Sequence, residues 1–98
     1  MRYDFEWDTR KAKSNFQKHE VSFERTTTIF RDPNLLSIPD DEHSDFEERW
    51  ITIGLDENGI LLVFSHTFQD LSATVCKIRI ISARKATKSE EEQYEEGI

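Results

Sequence analysis

RWITIGLDENGILLVFSHTFQDLSATVCKIRIISARK, residues 49–85, is the stretch on which the fold class turns. RWITIGL alternates apolar and polar residues, ILLVFSH is a nearly continuous apolar run, and VCKIRIISAR alternates again; period-two patterning of this kind marks strands. Three such strands in succession form an antiparallel meander. DENG at 56–59 joins the first two, since Asn58 and Gly59 tolerate the positive φ that a hairpin loop needs. The middle run is apolar on both faces and belongs at the centre of the sheet, whereas each flanking strand can show one face to solvent or ligand. On the last strand, alternation sends Lys77, Arg79 and Ile81 one way and Cys76, Ile78, Ile80, Ser82 and Arg84 the other. Arg79 and Arg84 are therefore predicted on opposite faces unless the strand bends between them.

Working outward, RYDFEW at 2–7 alternates polar and aromatic residues and reads as a short strand. Asp8 suits the N-cap of a helix running to about Lys18, because its carboxylate can accept a first-turn N–H. On that helix Ala12, Asn15, Phe16 and His19 share one stripe, while Lys11, Asn15 and Lys18 line a second. Ser22 caps a second short helix, ended by Asp32 and Pro33. LLSI at 35–38 reads as a short edge strand, followed by an exposed acidic loop. At the other end, Thr87 and Glu90 have capping-box spacing. The helix they begin is nearly devoid of apolar residues apart from Tyr94, so it is expected to fray or to rest on a partner. The reading is a single α+β domain over residues 1–98: an N-terminal strand and two helices, an antiparallel β meander and a C-terminal helix.

Composition narrows the function. A 98-residue chain with 36% hydrophobic residues can bury one modest core. MRYDFEWD contains no apolar export segment and nothing later approaches a membrane span, which predicts a cytoplasmic protein without membrane contact. Cys76 is the one cysteine, so neither an internal disulfide nor a paired-cysteine zinc site is expected. A net charge of −7 opposes nucleic-acid binding until its distribution is read. DDEHSDFEE at 40–48 and EEEQYEE at 90–96 hold eleven of the twenty acids, and the remainder carries 13 basic against nine acidic residues. Two windows, 10–19 and 75–88, contain no acid at all. A basic surface bordered by acidic segments fits this pattern; scattered charge that merely solubilises the fold fits it as well.

Several phrases carry a specific likeness: FEWD at 5–8, KAKSNFQKH at 11–19, VSFE at 21–24, FRDP at 30–33, ERWITIG at 48–54 and IRIISARKATKSE at 78–90. Together they resemble the signature of the BrnT toxin family and span almost the whole chain. The resemblance implies a RelE/ParE-like fold and a ribonuclease toxin of a type II toxin-antitoxin pair. It also implies an antitoxin with a ribbon-helix-helix DNA-binding domain, encoded next door, so that operator DNA is contacted only through that partner. Two positions depart from the family pattern: Glu20 stands where a glycine usually follows the Lys-His pair, and Phe68 stands roughly where many members carry an arginine.

RNA cleavage without metal or other cofactor needs a base for the ribose 2′-OH, cations for the phosphorane-like transition state and an acid for the leaving oxygen. The catalytic candidates are His19, His66, Arg79 and Arg84, with either histidine as proton carrier because imidazole titrates near neutral pH. Lys11, Lys18, Arg49, Lys77 and Lys85 are the candidate RNA-binding cations. Plainer readings stand beside each: His19 as a helix C-cap, His66 as a packed strand residue, Arg49 and Arg84 as partners of neighbouring acids, and Trp7 and Trp50 as core residues rather than stacking platforms. Asp40, Asp41, Glu42 and Asp45 crowd together but lack the glycine and spacing of a calcium loop. A non-catalytic module that binds the antitoxin and acts in transcriptional autoregulation is the alternative function.

Overall fold

The computed structural model describes residues 1–43 and 47–97. Strand β1 (Arg2–Glu6) leads into α1 (Thr9–His19), α2 (Phe23–Thr27) with a 3₁₀ turn at Thr28–Arg31, and β2 (Leu36–Pro39). After a 3₁₀ turn at Asp41–His43 come β3 (Arg49–Leu55), β4 (Leu61–Thr67), a two-residue β5 (Gln69–Asp70), β6 (Val75–Lys85) and α3 (Lys88–Glu96). The six strands form one sheet in the order β1-β6-β4-β3-β2, with β5 folded back onto β6. β3, β4 and β6 form the expected meander, and β2 is the expected edge strand, paired antiparallel to β3. The remaining pairing was not expected: β1 lies parallel to β6, Glu6 opposite Arg79.

The core lies on one face of the sheet, where Val21, Phe23 and Ile29 pack against Leu62, Phe64, Cys76, Ile78, Ile80 and Ala83. Val63 is buried too, on the opposite face of the central strand, where Ser65 and Thr67 are half-buried. Gly54 makes room for this packing: a Cβ there would stand 2.5 Å from the Ile29 side chain, which explains a glycine inside a strand. In the β3–β4 turn Gly59 alone adopts positive φ, at 77°. Asn58 instead donates its N–H to the Asp56 carboxylate, which also accepts from Ile60 N–H and bridges to Arg25.

β6 departs from plain alternation. Ser65 stands opposite Ser82 but His66 stands opposite Ile80, leaving Ile81 as the extra residue of a β-bulge. Ile80 and Ala83 therefore both face the core, and Arg79 and Arg84 leave the same, opposite face. This corrects the prediction that they diverge: the extra residue shifts the phase of the alternation between them. Beyond Arg79, where β1 stops, α1 takes over the edge of β6. Asn15 donates from Nδ2 to Ala83 O (2.8 Å) and Val21 O (3.1 Å) and accepts the Ala83 N–H at Oδ1 (3.1 Å). A buried side-chain amide thus supplies the pairing that a strand would have given.

Asp8 caps α1 as expected, accepting from Arg10 and Lys11 N–H. The buried stripe of the helix is narrower than the pattern suggested, because Phe16 is 52% exposed. Glu20 closes α1 with φ 58°, the one non-glycine residue at positive φ among those described. That is the geometry a C-terminal glycine adopts without strain. α3 begins with the expected capping box of Thr87 and Glu90. It rests on its own chain rather than fraying: Arg84 bonds Glu90, and the Tyr94 hydroxyl donates to Asp32 at 2.6 Å.

Glu20→Gly is expected to raise unfolding free energy by about 1 kcal/mol by removing left-handed strain. Asn15→Leu is expected to lower it by ~2–3 kcal/mol, since two backbone groups of Ala83 lose their partners. Urea unfolding at an unchanged m-value measures both.

Candidate functional site

The face of the sheet away from the core carries most of the candidate residues in rows set by the strand register. One row runs Ile38, Ile51, Ser65, Ser82 and the next Leu36, Ile53, Val63, Arg84. A third contains Arg49 opposite Thr67, whose hydroxyl accepts the Arg79 N–H, and Arg79 opposite Glu6. Arg79 and Arg84 are thus separated by the four residue steps from Thr67 to Val63 on β4, roughly 13 Å of strand.

Two hollows result. In the first, of ≈ 420 Å³, Lys18 and His19 at the end of α1 stand over Ser65, Ser82 and Arg84. Asn15 determines this meeting, because it fixes the last turns of α1 to Ala83, next to both Ser82 and Arg84. The second, of ≈ 470 Å³, holds Arg79 and Lys77 among Glu6, Glu47 and Glu48, with Phe68 on its wall. Positive charge from α1 and β6 does reach one face but divides between two hollows, Lys18 with Arg84 in the first and Lys77 with Arg79 in the second.

Carboxylates hold both arginines. Glu90 receives Arg84 through both of its oxygens, at 2.7 and 2.9 Å. Glu47 Oε1 accepts from Arg79 Nη2 and lies 3.5 Å from Arg49 Nε. Lys77 pairs with Glu6 at 3.3 Å. Lys85 lies beside Glu91 and Glu95 in a separate hollow, and Lys11 is exposed one turn before Asn15.

His66 is corrected from catalytic candidate to core residue. It is 2% exposed, packed against the Phe64 and Phe30 rings, and both ring nitrogens are engaged, Nε2 with Thr52 Oγ1 and Nδ1 with the Thr67 carbonyl. Burial pushes its pKa below the usual histidine value, so the neutral form is favoured there. Alternation along β4 sends it to the helix-covered side. Trp7 packs edge-on against Phe23, as a core residue does. Ser65, Ser82, Glu47 and Glu90 were not read from the sequence as parts of the site. The doubled isoleucine in IRIIS was the one local sign of the bulge that places Ser82.

Of the crowded acids, Asp40 accepts from His43 Nδ1 at 2.9 Å if that nitrogen is protonated, while Asp45 lies outside the described residues. No three His, Cys, Asp or Glu side chains among the described residues gather as a metal-binding group. No helix there is long and apolar enough to cross a membrane.

Residues 7–90 match the family of the ribonuclease toxin, BrnT, of type II toxin-antitoxin systems. The chain belongs to the BrnT family. Membership implies an antitoxin protein as partner. The crystal structure of the Brucella abortus ribonuclease toxin BrnT is similar in fold, with a TM-score of 0.60 and 18% identity over 90% of this chain and 100% of that one. No curated protein sequence matches. At that identity the likeness speaks to the fold, a mixed α+β arrangement; the roles of residues within the BrnT face rest on the geometry of this chain.

The Arg84–Glu90 pair makes the end of this BrnT face sensitive to acid. The Arg84 guanidinium holds the Glu90 carboxyl at about 2 against an ordinary 4.5, with the Thr87 N–H adding to it and burial opposing. A depressed carboxyl stabilises the fold fully above the unfolded value, and that contribution fades as pH falls from about 4.5 to about 2. Glu90→Gln should therefore cost about 1 kcal/mol at pH 7, where partial exposure of Arg84 screens the pair, and almost nothing at pH 2. Thermal unfolding of both proteins across this range gives the difference.

Proposed function

We propose that the chain is a RelE/ParE-like toxin that cleaves RNA without metal in the hollow between the end of α1 and β6, and so inhibits translation. The observation that carries this reading is the meeting of Lys18, His19 and Arg84 over the Ser65 and Ser82 hydroxyls. These residue types match what the chemistry needs. His19 takes the proton of a ribose 2′-OH, whose oxygen attacks the adjacent phosphorus. Lys18 and Arg84 stabilise the charge that builds on the phosphoryl oxygens, and the serine hydroxyls donate to them. The P–O5′ bond breaks, and the departing oxygen takes a proton from Lys18 or water. Arg79, Arg49 and Lys77 lie further along the same face and guide the flanking strand, with Lys11 and Lys85 contributing long-range attraction. Arg84 must exchange its Glu90 contact for phosphate during this cycle. The partner in this reading is a ribbon-helix-helix antitoxin through which the pair represses its own operator.

A second reading, a non-catalytic module that binds the antitoxin and serves transcriptional control, is favoured by one specific observation: both arginines are already satisfied by Glu47 and Glu90. Purified protein incubated with RNA in the presence of a chelator separates the two. The first reading expects cleavage, reduced about 100-fold in His19→Ala and Arg84→Ala and less in Arg79→Ala. Intact RNA beside normal antitoxin binding selects the second, and full activity of His19→Ala removes that histidine from the mechanism.

A further inference from the structure

The rows that end at Ser82 and Arg84 begin at the opposite edge of the sheet in isoleucine and leucine. Leu36 faces Ile53 and Ile38 faces Ile51, and with Val63 they line a hollow of ≈ 180 Å³ closed on its far side by Arg84, Glu90 and Gln93. Ile38 remains 60% exposed. Cross-strand apolar pairs normally stabilise a sheet by being covered; here the covering reaches from α3 only as far as Glu90 and Gln93. A gathered, open apolar surface beside a polar site marks a place of contact rather than a solubilising exterior.

We propose that this hollow between β2 and α3 receives the antitoxin, through an apolar anchor side chain on a segment whose flanking residues are Lys or Arg. The assignment rests on the toxin-antitoxin reading and goes beyond it by naming the surface and the chemistry of the partner. Charge selects the occupant. The paired Arg84 and Glu90 line the hollow with Gln93, and the same helix carries the exposed Glu92 and Glu96 with no Lys or Arg after Lys88. Asp41 and Glu42, both exposed, follow β2 almost directly in the chain. A second copy would bring these same acidic borders and a net charge of −7 against the first, an unfavourable juxtaposition. A partner with basic flanks meets them with complementary charge, while its apolar anchor fills a pocket of side-chain size.

The position also explains inhibition. The apolar hollow shares Ile51, Val63 and Arg84 with the hollow that holds Lys18 and His19. A segment seated on Ile38 and Ile53 lies against the Arg84 guanidinium and stands in the path of a phosphodiester approaching Ser82. Occupation of the neighbouring surface is enough; no rearrangement of the toxin is required.

The test titrates the full chain with the purified product of the adjacent reading frame by calorimetry. Ile38→Lys is expected to weaken binding by about 100-fold and Ile38→Val by no more than about threefold, with RNA cleavage by the toxin alone unchanged in both. Ile38 is mostly exposed, and an unaltered thermal transition confirms that each variant folds. Binding should also weaken as salt is raised. Wild-type affinity in Ile38→Lys overturns the proposal, as does failure of the wild-type chain to bind that partner. Self-association of the wild-type chain in light scattering, abolished by Ile38→Lys, overturns it in favour of a second copy. Loss of binding in Ile38→Lys when even the wild type leaves RNA intact supports the docking surface and removes only the nuclease reading.

Discussion

The backbone N–H and C=O groups of an 11-residue strand in the middle of a sheet point alternately to its two edges, so both edges need partners, and no single neighbour runs the length of β6. The chain meets this requirement in pieces. β1 and β5 flank the first half of β6, β4 the second, and the Asn15 amide replaces a strand where β1 has ended. The bulge at Ile81 lies where these partners change. The same arrangement brings the last turn of α1 beside Ser82 and Arg84, so the polar hollow is a by-product of completing the hydrogen bonding of one strand.

Electrostatics then decides what the face presents. An acidic chain can hold a basic surface only by segregating its charges, yet the glutamates remain close enough to engage the arginines. Glu47 serves Arg79 and Arg49, and Glu90 serves Arg84. Such pairs at a partly exposed surface contribute little stability. They do hold the side chains in place, so under the proposed nuclease reading a phosphate would enter by exchange with a carboxylate rather than by filling an empty site. α3 has a part in this: its capping box, with Glu90 bonded back to the Thr87 N–H, fixes the carboxylate that orients Arg84.

Buried and half-buried polar groups elsewhere have a different task. Asp32 accepts from Leu55 N–H and Tyr94 OH, and these bonds with that from Asn34 hold its carboxyl below the usual range although burial opposes them. The Tyr94 hydroxyl is raised to about 12 by burial and by Asp32. This contact ties α3 to the end of β3, and with Arg84–Glu90 it keeps a helix with almost no apolar surface on the sheet. His66, Thr52 and Ser37 likewise form a chain of hydrogen bonds from the core to β2, with His66 neutral. Acid below the ordinary histidine range of about 6.5 works against that arrangement, because the unfolded chain binds the proton more readily.

Local pattern determined the strands, the caps at Asp8 and Thr87, the edge strand and the three-strand meander, because each depends on residues within a few positions of one another. It also located the acid-free windows from which Lys18, His19 and Arg84 come. It left His66 open between a proton carrier and a packed strand residue, and the fold decides for the second, since the ring faces the helix-covered side. It also divided Arg79 from Arg84, since alternation counted along one strand cannot register a residue added relative to the neighbouring strand. Only the tertiary structure decided the parallel pairing of β1 with β6, the Asn15 clamp, the bulge at Ile81 and the carboxylate held by each arginine. All of these join residues distant in the chain, and each is settled by which unpaired backbone group or unbalanced charge the folded protein brings within reach.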